Sequence, residues 1–350
     1  MDIAVIALSV LWLGLIAYVV LGGADFGAGI WDLFAVGPQA ERQHRLINKA
    51  LGPVWEANHV WLIFLIVGLF TAFPTAFATL SIALFLPLTI ALIGIVLRGA
   101  AFIFRTYAID TTSRFVRWWS RVFSTSSLLT PFFLGVSAAA VASGHIEAPN
   151  GNVHADLGSS WTTPFALTIG AMGVSLCASL AAVYLTVEAI NDNDPQLAEA
   201  YRLRAIIAGA ITAVLGALGL LLSPSEAPIL WQGMLTRAIP VVIATMLIGL
   251  ATAASLLLRR YRVARVLIIL ETAFLLGSWG LSQFPYIIPP NVTISNAANE
   301  PSVILALLIS IAIGMAILIP SLYYLFSVFK LSVPAPGLKK EETGEKESAH

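Results

Sequence analysis

This chain has few charged residues. Asp, Glu, Lys and Arg make up 11% of its 350 residues, against roughly 25% in a typical soluble domain, whereas hydrophobic residues reach 58%. The formal net charge is zero and no basic stripe is present, which argues against a nucleic-acid partner. The composition therefore indicates an all-α protein that crosses the lipid bilayer several times.

Motifs for common cofactors are also lacking. The single cysteine, Cys177, cannot form an internal disulfide, and no Cys/His cluster is spaced for zinc, iron–sulfur or covalent haem. Neither a G-x-G-x-x-G nor a Walker motif supports nucleotide binding. The N-terminus shows no basic region and no A-x-A cleavage site, so we expect the first apolar run to be retained as a helix.

Long apolar runs predict nine transmembrane helices. Pro74 marks a tight turn between the second run and the third. We expect one membrane domain over residues 1–334 and a charged, disordered tail over 335–350. The runs cover about 3–31, 53–73, 76–104, 122–143, 163–187, 204–223, 237–258, 264–283 and 302–329.

The distribution of basic residues predicts the orientation. If the N-terminus lies outside, all 19 lysines and arginines except Arg98 and Arg237 fall on the cytoplasmic side or at its edge. Such a bias is the positive-inside signal. The prediction is therefore nine spans, with the N-terminus outside and the C-terminus cytoplasmic.

Ionisable residues inside the predicted spans are the candidates for function, because a charge at the bilayer centre costs roughly 2.5 to 3.5 kcal/mol on insertion scales. Asp25 lies in a glycine-rich stretch, where it either belongs to a helix-packing seam or marks a proton or ion entrance. Arg98 needs a partner, for which Glu56, Asp25 or an anionic group of another subunit are the candidates. Glu271 is expected to pair with Arg265 or another interfacial arginine.

Glu56 and His59 are three residues apart and share a helix face. A di-iron site would need a second E-x-x-H copy, and a bis-histidine haem would need a second membrane histidine; the sequence has neither. A structural hydrogen-bonded pair and a protonatable pair in a proton path both remain open. Burial raises the pKa of a glutamate towards neutral pH, where the pKa of histidine already lies.

Four ordered motifs resemble subunit II of cytochrome bd-type ubiquinol oxidases, a family that includes the cyanide-insensitive oxidases. The segment around Asp25 resembles the family's helix-1 element, and Arg98 resembles its helix-3 arginine. Phe284-Pro-Tyr-Ile-Ile-Pro289 resembles the element after helix 8. The fourth motif matches at Asn48, Pro53, Trp55, Glu56, Asn58, Val60, Trp61 and Leu62.

The resemblance implies a fold of two four-helix bundles plus one extra helix. It also implies a heterodimer in the bacterial inner membrane that oxidises ubiquinol or menaquinol and reduces oxygen to water without pumping protons. Two b-type haems, haem d and the quinol site would belong to subunit I. This chain would hold no metal, haem or catalytic residue, while a structural quinone and small accessory subunits remain open.

By the same resemblance, Asp25, Glu56 and His59 would line a cytoplasmic proton path, supported by Trp55, Asn58 and Arg98. Two departures bear on this assignment: Gly22 stands where the family has a second aspartate, and His59 stands where glutamine is frequent. A proton-coupled secondary transporter is the main alternative. An intrinsic haem or quinone carrier is another, and the spectrum of the isolated chain would separate the three.

Overall fold

The computed structural model describes residues 2–51, 55–106, 108, 114–148, 153 and 158–331, and their side chains except 51, 55–57, 106, 325, 326 and 328–331. The proposed tail over 335–350 lies outside the described residues. The first helices are α1 (Ile3–Leu33), α2 (Ala40–Leu51), α3 (Trp55–Ala72), α4 (Pro74–Ala83), α5 (Phe85–Thr106), α6 (Arg114–Ser143) and α7 (Pro164–Asn191). They are followed by α8 (Pro195–Glu226), α9 (Pro228–Gly233), a π-helical turn (Met234–Ala238), α10 (Ile239–Leu257), α11 (Tyr261–Gln283), α12 (Ile294–Ala297) and α13 (Pro301–Leu331).

The described helices confirm an all-α membrane-type protein but only part of the predicted span count. Eight of them are long and apolar enough to cross a bilayer, and a ninth span results only if the pair at 58–72 and 74–83, bent by 119°, counts as one. The turn predicted at Pro74 is confirmed, since Pro74 occupies the first helical position of α4.

One predicted span was wrong in its extent. The apolar run 76–104 forms two helices, α4 and α5, which are separated at Leu84. Pro87 explains the break, because a proline ring clashes with the carbonyl four residues earlier, here that of Ala83, and lacks an N–H to donate. Hydropathy alone could not detect this break because the residues on both sides are equally apolar.

Side-chain caps and prolines fix the beginnings of several helices. The Thr163 hydroxyl accepts a hydrogen bond from the Ala166 N–H (3.1 Å) at the start of α7. The Asp194 carboxylate accepts one from the Leu197 N–H (3.1 Å) at the start of α8. Both caps precede a proline at the first helical position, where its missing N–H costs nothing.

Within the unit formed by residues 1–307, helices α3, α6 and α7 pack against α1. Its glycines allow this close approach. A Cβ on Gly27 would overlap the carbonyl of Cys177 in α7, and one on Gly29 would overlap the Ser127 side chain in α6. The packing seam predicted from these glycines is therefore confirmed.

Large apolar side chains cover much of the outside of the helices. Leu13, Ile63, Val96 and Leu250 are more than half exposed, as expected for surfaces that meet lipid or another subunit. A short antiparallel pair, β1 (Tyr286–Ile288) and β2 (Val292–Thr293), follows α11. The chain from residue 308 onward forms a second unit, whose described part consists of the later turns of α13.

Candidate functional site

A buried ion pair joins α1 to α5. The Arg98 Nη1 donates to Asp25 Oδ2 at 2.8 Å, and both side chains are only 2% exposed. The Nη2 of Arg98 donates to the Asp25 carbonyl at 3.0 Å and its Nε donates to Ser127 Oγ at 2.9 Å. The guanidinium also lies over the rings of Phe26 and Phe123, at 5.1 and 4.9 Å from their centres. Among the described residues, Asp25 is the carboxylate partner of Arg98, as one of the sequence-based alternatives proposed.

A second ion pair repeats this arrangement seven residues further along both helices. The Arg105 Nη1 donates to Asp32 Oδ2 at 2.6 Å. The other carboxylate oxygen of Asp32 lies 2.7 Å from Nδ1 of His44, a residue of α2. Arg105 Nη2 donates to the side-chain oxygen of Asn48 at 2.7 Å. Asp32 is buried, while the His44 side chain is 42% exposed, so this second pair is close to the protein surface.

The ring of Phe123 connects the two ion pairs. It packs against the guanidinium of Arg98 on one side and lies 4.2 Å from that of Arg105 on the other. Seven residues on a helix correspond to about 10 Å of rise, so one acid–arginine pair stands about two turns above the other. We call these two pairs, Asp25–Arg98 and Asp32–Arg105, the charge ladder.

The Asp25–Arg98 pair of the charge ladder lies beside α3. The His59 ring is half-buried and packs 5.9 Å from the Phe26 ring and 6.3 Å from the Tyr18 ring, centre to centre. Asn58 is buried. The side chains of Trp55 and Glu56 lie outside the described residues, so their assignment to the site stays a prediction.

Sequence reasoning found only half of the charge ladder. It placed Asp25 and Arg98 in the site, but it gave no role there to Asp32, Arg105, His44 or Asn48. A signal was present, because Asp25 and Asp32 have the same seven-residue spacing as the two arginines. His44 carried no such signal, because the turn between α1 and α2 brings it to Asp32.

Glu271 does not have the partner that the sequence suggested. The structure pairs Arg265 with Glu188, at 3.9 Å, and leaves Glu271 facing α10. Its carboxylate is beside Gly249, where an added Cβ would be 3.0 Å from Oε1, and within hydrogen-bonding range of the Thr252 hydroxyl. Arg265 is not the partner of Glu271 because its guanidinium points towards α7, where it contacts Glu188 and the Tyr184 ring.

Possible haem or metal ligands are few among the described residues. His59 is the one histidine within the described spans, and two aromatic rings already cover part of its ring. In the described parts of the chain, no three His, Cys, Asp or Glu side chains converge in a way that could hold a metal ion. The geometry instead suits the stabilisation of charge, by fixed carboxylates and guanidiniums within a helical bundle.

The chain is similar to known proteins over almost its whole length. The family described as cytochrome bd terminal oxidase subunit II matches residues 3–329. A Bacillus subtilis protein described as a candidate cytochrome bd menaquinol oxidase subunit II is 24% identical and aligns over 93% of this chain and 95% of its own length. The cytochrome bd ubiquinol oxidase subunit 2 of the same organism is 31% identical over 55% of this chain and 54% of its own length. A chain in the structure of bd oxidase from Geobacillus thermodenitrificans superposes with a TM-score of 0.75 at 25% identity, covering 95% of this chain and 100% of that one.

Proposed function

Because this chain belongs to the cytochrome bd terminal oxidase subunit II family, we propose that it is the second subunit of a quinol oxidase. In this proposal it forms a heterodimer with a haem-bearing subunit I and supplies part of the path that brings protons to the oxygen-reducing site. The observation that carries the proposal is the charge ladder. One of its buried ion pairs contains Asp32, which contacts the partly exposed His44, and the other contains Asp25, on the side of His59. The transporter alternative has no comparable support among the related proteins.

In the reaction we propose, two quinols are oxidised to quinones, and each gives up two electrons and two protons. Dioxygen accepts four electrons and four protons and becomes two molecules of water. The electrons would travel through haems held by subunit I, so no electron-transfer step is assigned to this chain. The protons for water would come from the cytoplasm, which makes turnover electrogenic without a pump.

The charge ladder supports a path along α1. His44 is partly exposed and contacts Asp32, so a proton taken up there meets a buried carboxylate directly. About two turns away, Asp25 lies within electrostatic range of His59. Glu56 stands three residues before His59, on the same face of α3. We therefore propose that protons pass from His44 towards Glu56 and His59.

We assign Asp25 and Asp32 the role of fixed negative charges. An arginine holds each carboxylate in place, at 2.8 Å for Asp25 and 2.6 Å for Asp32. A negative charge fixed in this way stabilises a proton on a neighbouring group or water. In this view Glu56 and His59 carry the proton, Asp25 lines the path, and Arg98 holds Asp25 in place, with Trp55 and Asn58 as supporting residues.

We further propose a bacterial cytoplasmic-membrane location, with nine spans arranged as two four-helix bundles and one further helix. The N-terminus would lie outside and the C-terminus inside. The bias of lysine and arginine towards one side supports this orientation. It would place His44 and Arg105, at the exposed end of the charge ladder, on the cytoplasmic side. The named relatives are bacterial proteins.

The substitution Glu56→Gln in the complete oxidase tests the proposal. It removes the ability to carry a proton while keeping the size and hydrogen-bonding groups of the side chain. We expect slower oxygen reduction with unchanged haem content and subunit assembly. The control is Glu41→Gln, the same chemical change at an exposed position of α2, where the side chain is 89% exposed.

The outcomes separate a proton-path role from a structural one. Normal turnover of the Glu56→Gln oxidase, with the same haem spectrum, would remove Glu56 from the path. Loss of haem or of subunit I from the purified complex would instead show that Glu56 is structural. An equal loss of activity in the Glu41→Gln oxidase would mean that the effect is not specific to the membrane site.

A further inference from the structure

Three buried polar atoms on α1 and α3 have no hydrogen-bond partner among the described residues. They are the Tyr18 hydroxyl, Oδ1 of Asp25 and Nδ1 of His59. Tyr18 is 4% exposed and Asp25 is 2% exposed. Buried polar groups in folded proteins are nearly always paired with protein or with ordered water, so three such atoms require an explanation.

The three atoms belong to one neighbourhood. Tyr18 and Asp25 are seven residues apart and therefore lie on the same face of α1. The rings of Tyr18 and His59 are 6.3 Å apart, centre to centre. Both residues lie within electrostatic range of Asp25 and Arg98. A polar cluster of this size, with two to four hydrogen-bonding groups, is the kind of site that retains internal water.

Gly22 determines where the Tyr18 ring lies. A Cβ at this position would be 3.1 Å from Cε2 of Tyr18, so the ring occupies the space that a side chain at position 22 would need. The surroundings are otherwise apolar, since Tyr18 belongs to a buried cluster with Phe26 and Cys177 and with Leu65 partly buried against it. The hydroxyl is therefore a polar group in an apolar region, within electrostatic range of the Asp25 carboxylate.

We propose that Tyr18, Asp25 and His59 form a binding site for internal water between α1 and α3. Arg98 occupies Oδ2 of Asp25, which leaves Oδ1 to accept a hydrogen bond from a water molecule. The Tyr18 hydroxyl donates to or accepts from the same water, and Nδ1 of His59 completes the set. Tyr18 is thus a positioning residue, because it orders the water and does not itself change its protonation state.

The second half of the inference rests on the function proposed above. The ordered water would pass a proton to and from His59 by breaking one O–H bond and forming another, with the Asp25 charge stabilising the transient cation. No oxidant or other reactant is involved. The presence of the water is independent of that function, so the two statements are tested separately.

A cryo-EM map of the complete oxidase, at a resolution that shows ordered water, tests the binding site. We expect density within hydrogen-bonding distance of the Tyr18 hydroxyl and Asp25 Oδ1. The same map of the Tyr18→Phe oxidase should have lost that density while the ring stays in place. A side chain of subunit I, Glu56 or an apolar group in that position would overturn the inference.

Turnover measurements test the role of the water. The Tyr18→Phe oxidase should reduce oxygen about tenfold more slowly, the effect of losing one hydrogen bond in a charged network, with a larger solvent deuterium isotope effect and an unchanged haem spectrum. The control is Tyr184→Phe, which removes a hydroxyl from a tyrosine of α7 whose ring packs against Arg265. We expect wild-type turnover from this control.

The possible results separate the inference from the proposed function. Water density in the map together with wild-type turnover of Tyr18→Phe would refute the role of the water in proton transfer. Normal turnover of Glu56→Gln with the water still present would refute the proposed path but leave the binding site standing. A loss of haem in Tyr18→Phe would overturn the positioning role, because the hydroxyl would then be needed for assembly.

Discussion

Breaking the Asp25–Arg98 pair should destabilise the oxidase far more than breaking an ion pair at its surface. Both side chains are 2% exposed, and Arg98 uses three nitrogen atoms to donate to Asp25 and Ser127. In Asp25→Asn the guanidinium would stay buried without a counter-charge. Removing one partner of a buried pair typically costs about 3 to 5 kcal/mol, mostly because the other charge remains buried.

The surface pair Arg42–Asp194 provides the comparison. Its side chains are 43% and 19% exposed, and exposed pairs contribute about 1 kcal/mol or less. Arg42→Gln should therefore leave the stability of the oxidase nearly unchanged. The double variant Asp25→Leu with Arg98→Leu should recover much of what Asp25→Asn loses, because neither charge is then buried alone.

The assay is the thermal inactivation midpoint of the purified oxidase at a fixed heating rate, together with its yield from membranes. A fixed rate is needed because large membrane complexes unfold irreversibly. We expect the order wild type, Arg42→Gln, the double variant and then Asp25→Asn, from most to least stable. If Asp25→Asn and Arg42→Gln had equal midpoints, the burial argument would be refuted.

Three further predictions concern other parts of the chain. Gly27→Val should prevent assembly, because even a Cβ would overlap the carbonyl of Cys177, and subunit co-purification measures this. Desolvation raises the pKa of Asp194, but the hydrogen bond from Arg42 outweighs it and the pKa is lowered. The ionised Asp194 therefore stabilises the folded protein at neutral pH, and this stabilisation is lost as the pH falls through the lowered pKa. The difference in thermal midpoint between wild type and Asp194→Asn should accordingly shrink on acidification below about pH 4. Glu271→Gln should keep the wild-type thermal midpoint and turnover, because glutamine has nearly the same size and can donate an amide N–H to the Thr252 hydroxyl, whose own proton is donated to the Ile248 carbonyl at 2.9 Å.

Most of the fold could be predicted from hydropathy, and the exceptions have local causes. Run lengths predicted the helices of the described region well, and Pro74 predicted one break correctly. The break at Leu84 was missed because Pro87 acts on a carbonyl four residues earlier, which a hydropathy window does not register. Orientation and the full span count stay predictions, which rest on the distribution of basic residues and on the lengths of the apolar runs.

The site was predictable where helical spacing determines it. Asp25 and Arg98 had to find partners in an apolar environment, and the structure joins them. The contact of His44 with Asp32 depends on a turn between helices, and the contact of Tyr18 with Gly22 depends on side-chain rotation. Neither follows from the periodicity of one helix.

The charge ladder also predicts that two kinds of substitution will have different consequences. Removing an arginine or an aspartate of the charge ladder leaves the charge of its partner buried, so its loss should appear first as reduced stability. In the proposed path Glu56, His59 and the water carry the protons, because only groups free to gain and lose a proton can do so. Their loss should appear first as reduced rate in a stable oxidase. A stable, assembled Asp25→Asn oxidase that was merely slow would contradict this division, because it would make Asp25 a carrier of protons and not a fixed charge.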